Sequence, residues 1–353
     1  MIAVEKQSGF SLVELLVAIT VMLIIMAATL GAFNDALRAN EAVTLYADMD
    51  QNLRAGANLM IRDLMQAGQG IPTGGIPVPN GAGVLLLNRP SPPLAAYTFA
   101  LGATTLSAIT TGNGLGPVSN GPATDMVTIM YADSTLVINQ LPLQAVNANG
   151  SDMTVNAATP IAGVQNALQA GDLILLSNAL GNALQTITRV NGTQTVFFDP
   201  NDSFQFNQRG APAGSVMCIS NVGTNTNPLN CAANNGGFPP TTATRVWIIS
   251  YYLDTNTDPL MPRLVRQVNF NPGRPVALVI DNMQLSYDLV DGVTNPVNVA
   301  TPVAPNSENQ IRKANLFFSA RSSAAYSRTR SFFRTSLATQ VSLRSLSFVD
   351  RYL

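Results

Sequence analysis

Gly9-Phe10-Ser11-Leu12-Val13-Glu14 opens an apolar run that continues to Phe33, and Glu14 is its only ionisable side chain. The 24 residues of the run exceed the roughly 20 that a helix needs to cross a bilayer. A secretory signal is cut behind its apolar run and loses it. Here the small residue, Gly9, stands ahead of the run, so a cut there leaves the helix attached. The eight residues before Gly9 form a short and weakly charged stretch, with Glu5 and Lys6 opposing each other.

A carboxylate in an apolar span costs about 2–4 kcal/mol on insertion scales. The plainer reading of Glu14 is that it lies near the membrane face and reaches the headgroups. The functional reading is that it pairs with a positive charge in an assembly. The amine that a cut before Phe10 creates on a neighbouring chain suits that role.

With glycine, phenylalanine, glutamate and apolar run in this order, the segment resembles the prepilin motif of type IV pilins and type II secretion pseudopilins. The resemblance implies that a prepilin peptidase cuts between Gly9 and Phe10. It also implies N-methylation of the new amino terminus at Phe10, and a part for Glu14 in guiding subunits into a filament. Weaker likenesses lie further along. They are Arg54…Arg62-Asp63-Leu64…Ala67-Gly68, Asp172-Leu173-Ile174-Leu175-Leu176-Ser177, Tyr251-Tyr252, Leu264-Val265-Arg266, the stretch from Val279 to Tyr287, and Ser342-Leu343-Arg344. Their order resembles PilW-type minor pilins and, as second choice given the chain's length, the J-type pseudopilins.

The chain has 353 residues, of which 11% are charged, against a usual ~25%. Apolar content of 46% and a net charge of −1 separate it from disordered chains and predict no global attraction to nucleic acid. There is no histidine, which removes Ser-His-Asp and Cys-His catalysis and histidine metal sites. The two cysteines, Cys218 and Cys231, lie in a Gly/Asn/Pro-rich stretch. In an oxidising compartment they are expected to form a disulfide, stabilising by about 3 kcal/mol on the chain-entropy model. Free thiols are the alternative. A structural zinc would want four ligands. No cofactor and no metal are expected.

Along the chain, residues 1–9 read as prepilin leader and 10–33 as the transmembrane, assembly half of an amino-terminal helix. No proline occurs between Phe10 and Gly70, so the helix is predicted to continue as an amphipathic half over 34–68. Leu45, Met49, Leu53, Ala57, Met60 and Leu64 recur at three- and four-residue steps. Asp48, Asp50, Arg54, Arg62 and Asp63 fall largely outside that stripe. Gly31 and Gly56 read as weak points at about 1 kcal/mol each. Gly68, Gly70 and Pro72 stop the helix.

Residues 69–83 read as a Gly/Pro-rich linker. From 84 to 353 short β-like runs alternate with turn signals. They include Val84–Leu87, Met126–Tyr131, Leu173–Leu176, Thr195–Phe198, Val246–Tyr252 and Leu316–Phe318. Asn149-Gly150 and Asn191-Gly192 favour tight hairpins. The region 200–243 reads as a loop excursion and an exposed surface. The fold class is therefore α+β and pilin-like: one long helix packed on a mainly antiparallel β domain.

Three further constellations carry little chemistry. Asp254, Asn256 and Asp258 have the first spacings of a calcium loop, but Pro259 and Val265 stand where glycine and glutamate belong, so a hairpin turn is expected. Arg312, Lys313, Arg321, Arg328, Arg330, Arg334, Arg344 and Arg351, with Asp350 the one acid, form a basic carboxy-terminal stretch. DNA, the alternating faces of edge strands, or acidic filament neighbours would each account for it. Asp172, Asp199, Asp281, Asp288 and Asp291 show no pairing in their spacing, so no catalytic residues are assigned and the protein is expected not to be an enzyme.

These readings converge on a minor pilin, a structural subunit in the assembly-initiating or tip complex of a type IV pilus. Its expected partners are other major and minor pilins, the prepilin peptidase and the inner-membrane assembly platform. It would sit in the inner membrane before assembly, then in a surface pilus or periplasmic filament. The alternatives are a pseudopilin capping a periplasmic pseudopilus, and a membrane-anchored β-rich enzyme or adhesin.

Overall fold

A computed structural model describes residues 9–92, 96–136, 138–164, 166–223 and 231–347. The leader before Gly9, and Asp350 and Arg351 of the basic stretch, lie outside the described residues.

Helix α1 runs unbroken over Leu12–Gln66, 55 residues or about 83 Å. It ends as its sequence dictates. Ala67 turns extended (ψ 129°), its N–H bonding Leu64 O at 3.1 Å, and Gly68 follows with φ +80°. A Cβ at Gly68 would lie 2.5 Å from Leu346 Cδ2, so the same glycine that permits the turn also permits the packing. The helix passes through Gly31 and Gly56 without interruption. Gly56 has a packing reason: a Cβ there would stand 2.6 Å from Ala277 Cβ.

The strands follow in chain order: β1 (Ile76–Pro77), β2 (Thr105–Leu106), β3 (Ile109–Thr110), β4 (Val127–Ala132), β5 (Ala145–Val146), β6 (Asp152–Thr154), β7 (Leu173–Asn178), β8 (Gly181–Thr186), β9 (Arg189–Asn191), β10 (Thr195–Phe197), β11 (Thr242–Asp254), β12 (Arg263–Val268), β13 (Arg274–Leu278), β14 (Ile280–Leu289), β15 (Ile311–Arg321) and β16 (Arg334–Ser342). Every pairing among them is antiparallel. Both Asn-Gly pairs form the expected hairpins, β5–β6 and β9–β10.

Strand β11 is the spine. Its start pairs β7 (Thr242 with Ser177), its middle pairs β4 (Ile249 with Ile129) and its end pairs β12 (Asp254 with Arg263). The middle and end present Ile249, Tyr251 and Leu253 to α1. The start carries Ala243 into a second lobe built around β6, β7, β8 and β10. Strands β14, β15 and β16 form a separate sheet on the same helix core.

In α1 the stripe Met49, Leu53, Ala57, Met60 and Leu64 is buried, and Leu45 is half-buried at its edge. Each large side chain so removed from water stabilises by about 1.5–3 kcal/mol. Four readings change. Asp63, placed in the polar face by its period, is buried. Val84–Leu87 is not a strand: Leu85 exchanges hydrogen bonds with the Gln208 side chain, and Leu85 and Leu86 stay exposed. Among the described residues of the 200–243 region, two short 3₁₀ turns and the start of β11 are regular and the rest is loop. Yet Phe204, Phe206, Val216 and Ile219 are buried in it, so these parts are core and not exposed excursion. The stretch 69–83 carries β1, with Ile76 and Val78 buried.

Candidate functional site

The amino-terminal segment is built on Ser11. With φ −73° and ψ 144° it is the N-cap of α1, and its Oγ accepts the Val13 N–H at 3.2 Å. Glu14 reaches back, Oε2 accepting the Ser11 N–H at 3.0 Å. This is a capping box, which satisfies two of the donors every helix start leaves open. A carboxylate in the first turn also suits the positive end of the helix dipole. Glu14 therefore has a partner in its own chain, a role the sequence reading did not assign. Gly9 and Phe10 precede the helix in non-helical backbone, with Phe10 87% exposed.

Beyond the cap every helix residue from Leu15 to Asn40 is exposed. Its most apolar 18-residue window is 0% buried. The hydroxyls within it are satisfied internally: Thr20 bonds the Leu16 carbonyl, and Thr29 bonds the Ile25 carbonyl at 2.5 Å. That is what a lipid environment demands of polar groups. Length and composition allow this half to cross a membrane.

The other end is clamped. Asp63 Oδ2 accepts Arg266 Nε at 2.7 Å and the Tyr251 hydroxyl at 2.6 Å. Its Oδ1 accepts Arg266 NH2 at 3.3 Å and the Tyr131 hydroxyl at 3.2 Å. The four groups join α1 to β4, β11 and β12. Burial, then the Asp63 charge, pushes Tyr131 up to about 12, and the same causes hold Tyr251 above the ordinary phenol range. For Arg266 burial acts downward, but the bonds and charge of Asp63 outweigh it and raise the pKa. All of these shifts favour the forms present at neutral pH. The cluster fastens the helix to the sheet.

Two further buried clusters also fasten elements together, but there burial works against the charged forms of Arg89, Glu308 and Asp172. Arg89 donates Nε to Thr128 Oγ1 at 2.8 Å, NH1 to Thr111 O at 2.7 Å and NH2 to Thr110 O at 2.8 Å. Burial lowers its pKa to about 10. Glu308 beside it accepts the Thr111 N–H at 2.6 Å, and burial raises its pKa. Arg245 pairs with Asp133, donating Nε at 2.7 Å, and lies 3.6 Å from Asp172. Burial pushes Asp133 up, but bonds from Thr135 and Arg245 bring it below its ordinary value, whereas burial prevails at Asp172 and raises it.

The remaining carboxylates singled out in the sequence are not brought together. Asp199 accepts Thr188 Oγ1, Asp281 sits between Arg321 and Arg334, Asp288 holds Asn315 and Gln340, and Asp291 caps its own turn through the Val293, Thr294 and Asn295 amides. Asp254 closes the β11–β12 hairpin: its oxygens take the Asn256 and Thr257 amides, the Thr257 hydroxyl and Arg263. Among the described residues no three His, Cys, Asp or Glu side chains form a metal-sized group. Cys218 and Cys231 form a disulfide, which ties the two 3₁₀ turns of the second lobe together. The basic stretch is spread along β15 and β16 instead of forming one face: Arg312 bonds the Asn309 and Ile311 carbonyls, while Arg321 and Arg334 share Asp281.

Over residues 5–30 the chain matches the prokaryotic N-terminal methylation motif. No curated protein matches the chain, and no solved structure does. The motif, together with the single exposed apolar helix behind it and the mainly antiparallel β domain it enters, supports the type IV pilin superfamily and a pilin- or pseudopilin-type structural subunit.

Proposed function

We propose that the protein is a minor pilin of the PilW type, working in the complex that starts or tips a type IV pilus. The observation that carries this reading is the division of α1. Its first half is capped and apolar and stays exposed, packed on none of the described domain, while its second half is clamped into a large β domain. A subunit so divided is a handle plus a contact surface. Assembly then consists of covering the handle with other pilins.

Within this proposal the prepilin peptidase cuts behind Gly9, Phe10 becomes the methylated amino terminus, and Glu14 acts in assembly. The second lobe, with its disulfide, adds surface that filament packing through α1 alone does not require, which suits a subunit present in few copies at one end. Before assembly the chain sits in the inner membrane at the assembly platform. The motif and the fold point to a structural rather than a catalytic protein.

The test is deletion with fractionation. The expected result is the protein in sheared surface pili, and fewer pili without it. Intact pili with failed exoprotein secretion would move the assignment to a pseudopilin. A mature form that starts after Phe33 would remove both.

A further inference from the structure

Helix α1 enters the domain beside the turn that joins β15 to β16. Ser327 donates its backbone N–H to Glu41 Oε1 at 3.2 Å and its hydroxyl to Oε2 at 2.5 Å. Glu41 lies eight residues beyond Phe33, the last residue of the apolar run, about 12 Å along the helix axis. Helical side chains lean toward the amino end, so the turn sits on the bilayer side of the Glu41 Cα. The headgroup layer extends about 5–7 Å past the hydrocarbon. The gap that remains is within the length of an arginine side chain.

The turn is closed and ordered. Arg330 N–H donates to Tyr326 O at 2.8 Å, and Tyr326 N–H to Ser331 O at 2.9 Å. It carries Arg328 and Arg330 outward, both exposed. Neither enters an ion pair among the described residues, whereas Arg321 and Arg334 behind them share Asp281. Phe332, 37% exposed, stacks under Arg321. The β11–β12 turn lies at the same end, since Arg321 NH2 donates to Leu260 O at 2.5 Å, and the Leu260 side chain is 79% exposed. Of the acids on these elements Asp35 is paired with Arg38 at 3.9 Å, while Glu41 and Asp258 keep their charge, held by neutral donors, the Ser327 hydroxyl and the Leu260 N–H at 2.9 Å. Arg328 and Arg330, with the two arginines that share Asp281, leave this end net positive.

We propose that this end of the domain, the Arg328–Arg330 turn with Leu260 beside it, docks on the anionic phospholipid headgroups of the bilayer that α1 spans. The inference rests on the membrane-anchored reading of the helix. Two unpaired guanidinium groups held a headgroup's distance from the apolar run face phosphate before any other partner. A convex turn suits a fluid charged surface, which needs no shape complement. Each arginine near such a surface strengthens binding by about fivefold. Docking holds the domain in one tilt on the membrane, and extraction into a filament breaks the contact.

The experiment reconstitutes the full chain in lipid nanodiscs of phosphatidylcholine alone or with phosphatidylglycerol. Hydrogen exchange is followed in residues 322–333 and, as a folding control, in β11. The expected result is exchange in 322–333 slowed about fivefold or more by phosphatidylglycerol. High salt and the double variant R328Q/R330Q should both abolish the effect, with β11 unchanged. A chain that partitions into both discs yet exchanges equally in them overturns this inference alone. Protection that appears only when other pilins are added makes the partner a protein, and also overturns it. A chain that does not stay with the discs overturns the membrane-anchored reading and this inference with it.

Discussion

The two halves of α1 treat one problem, a carboxylate on an apolar helix, in opposite ways. Glu14 is satisfied within its own first turn, by the N–H of Ser11. Asp63 is satisfied by the domain, through residues 68, 188 and 203 positions away. The domain half is finished when the chain folds. The other half has an apolar window that meets none of the described domain, which suits the membrane and filament surroundings proposed for it. Completed packing marks the part that is structure, and packing left open marks the part that functions in assembly.

The largest effect that would break this comparison belongs to Asp63. Asp63→Ala leaves Arg266 without its carboxylate and two tyrosine hydroxyls without their acceptor. Removing one member of such a buried pair costs about 3–5 kcal/mol. Thermal unfolding of the full chain in detergent should show that loss, while Glu14→Ala leaves domain unfolding unchanged. Equal losses from the two variants would mean that the helix unfolds as one unit and that its halves are not distinct.

Gly56 tests how closely the finished half is packed. Gly56→Ala gains about 1 kcal/mol of helix propensity but places a methyl 2.6 Å from Ala277 Cβ and 3.1 Å from Leu264 Cδ2. Overpacking of that kind costs about 1–3 kcal/mol, so a net loss of about 1 kcal/mol is expected. Adding Ala277→Gly should restore it. The same change at Gly31, where nothing lies within 4 Å, should raise helix stability and leave the domain alone.

Alkali should loosen the finished half in a graded way. Unfolded tyrosines ionise near 10, whereas Tyr131 and Tyr252 do so at about 12, chiefly because they are buried. A group whose folded pKa is raised contributes stability that is fully present below its unfolded pKa and lost as pH rises through the folded one. Domain stability should therefore fall between about pH 10 and 12. Absorbance near 295 nm should show these tyrosines titrating late. A domain whose stability is flat across that window would contradict the burial described here.

How far the sequence reaches follows the same division. The apolar run of the first half and the continuity of the helix were legible, because an apolar run and a missing proline are local signals; the capping box on Ser11, equally local, went unread. The amphipathic stripe of the second half was legible for the same reason. Asp63 was not: helical period alone sets it beside the stripe, and its partners are fixed only by the sheet. Even so, the stretches that carry the family likeness contain Asp63, Tyr251 and Arg266 and omit only Tyr131. Val84–Leu87 shows the opposite failure. Its apolar run looks like a strand, yet a glutamine side chain 123 residues away takes the backbone bonds a ladder would have used. The burial of Phe204 and Phe206 in the 200–243 region was hidden because composition reports turns and not whether they are covered.

The smallest effect on the subunit itself, and the sharpest test of the open half, comes from Glu14. Two roles compete for its carboxylate: closing the capping box on Ser11, and pairing with the amine of a neighbouring Phe10. Glu14→Val removes both and so does not separate them. Glu14→Gln does, because glutamine still closes a capping box but carries no charge. In lipid, neighbouring helices and acyl chains are similarly apolar, so packing alone sets axial register weakly. A misplaced subunit that leaves a carboxylate unpaired is penalised much more. Both variants are therefore expected to insert and to be processed at Phe10, with helix stability lowered by no more than about 1 kcal/mol in the valine variant. Both should also lose co-purification with other pilins by about tenfold, the factor that corresponds to roughly 1.4 kcal/mol. If the glutamine variant co-purifies like the parent and only the valine variant fails, the carboxylate serves the cap. The register of the filament must then come from elsewhere on the exposed half of the helix.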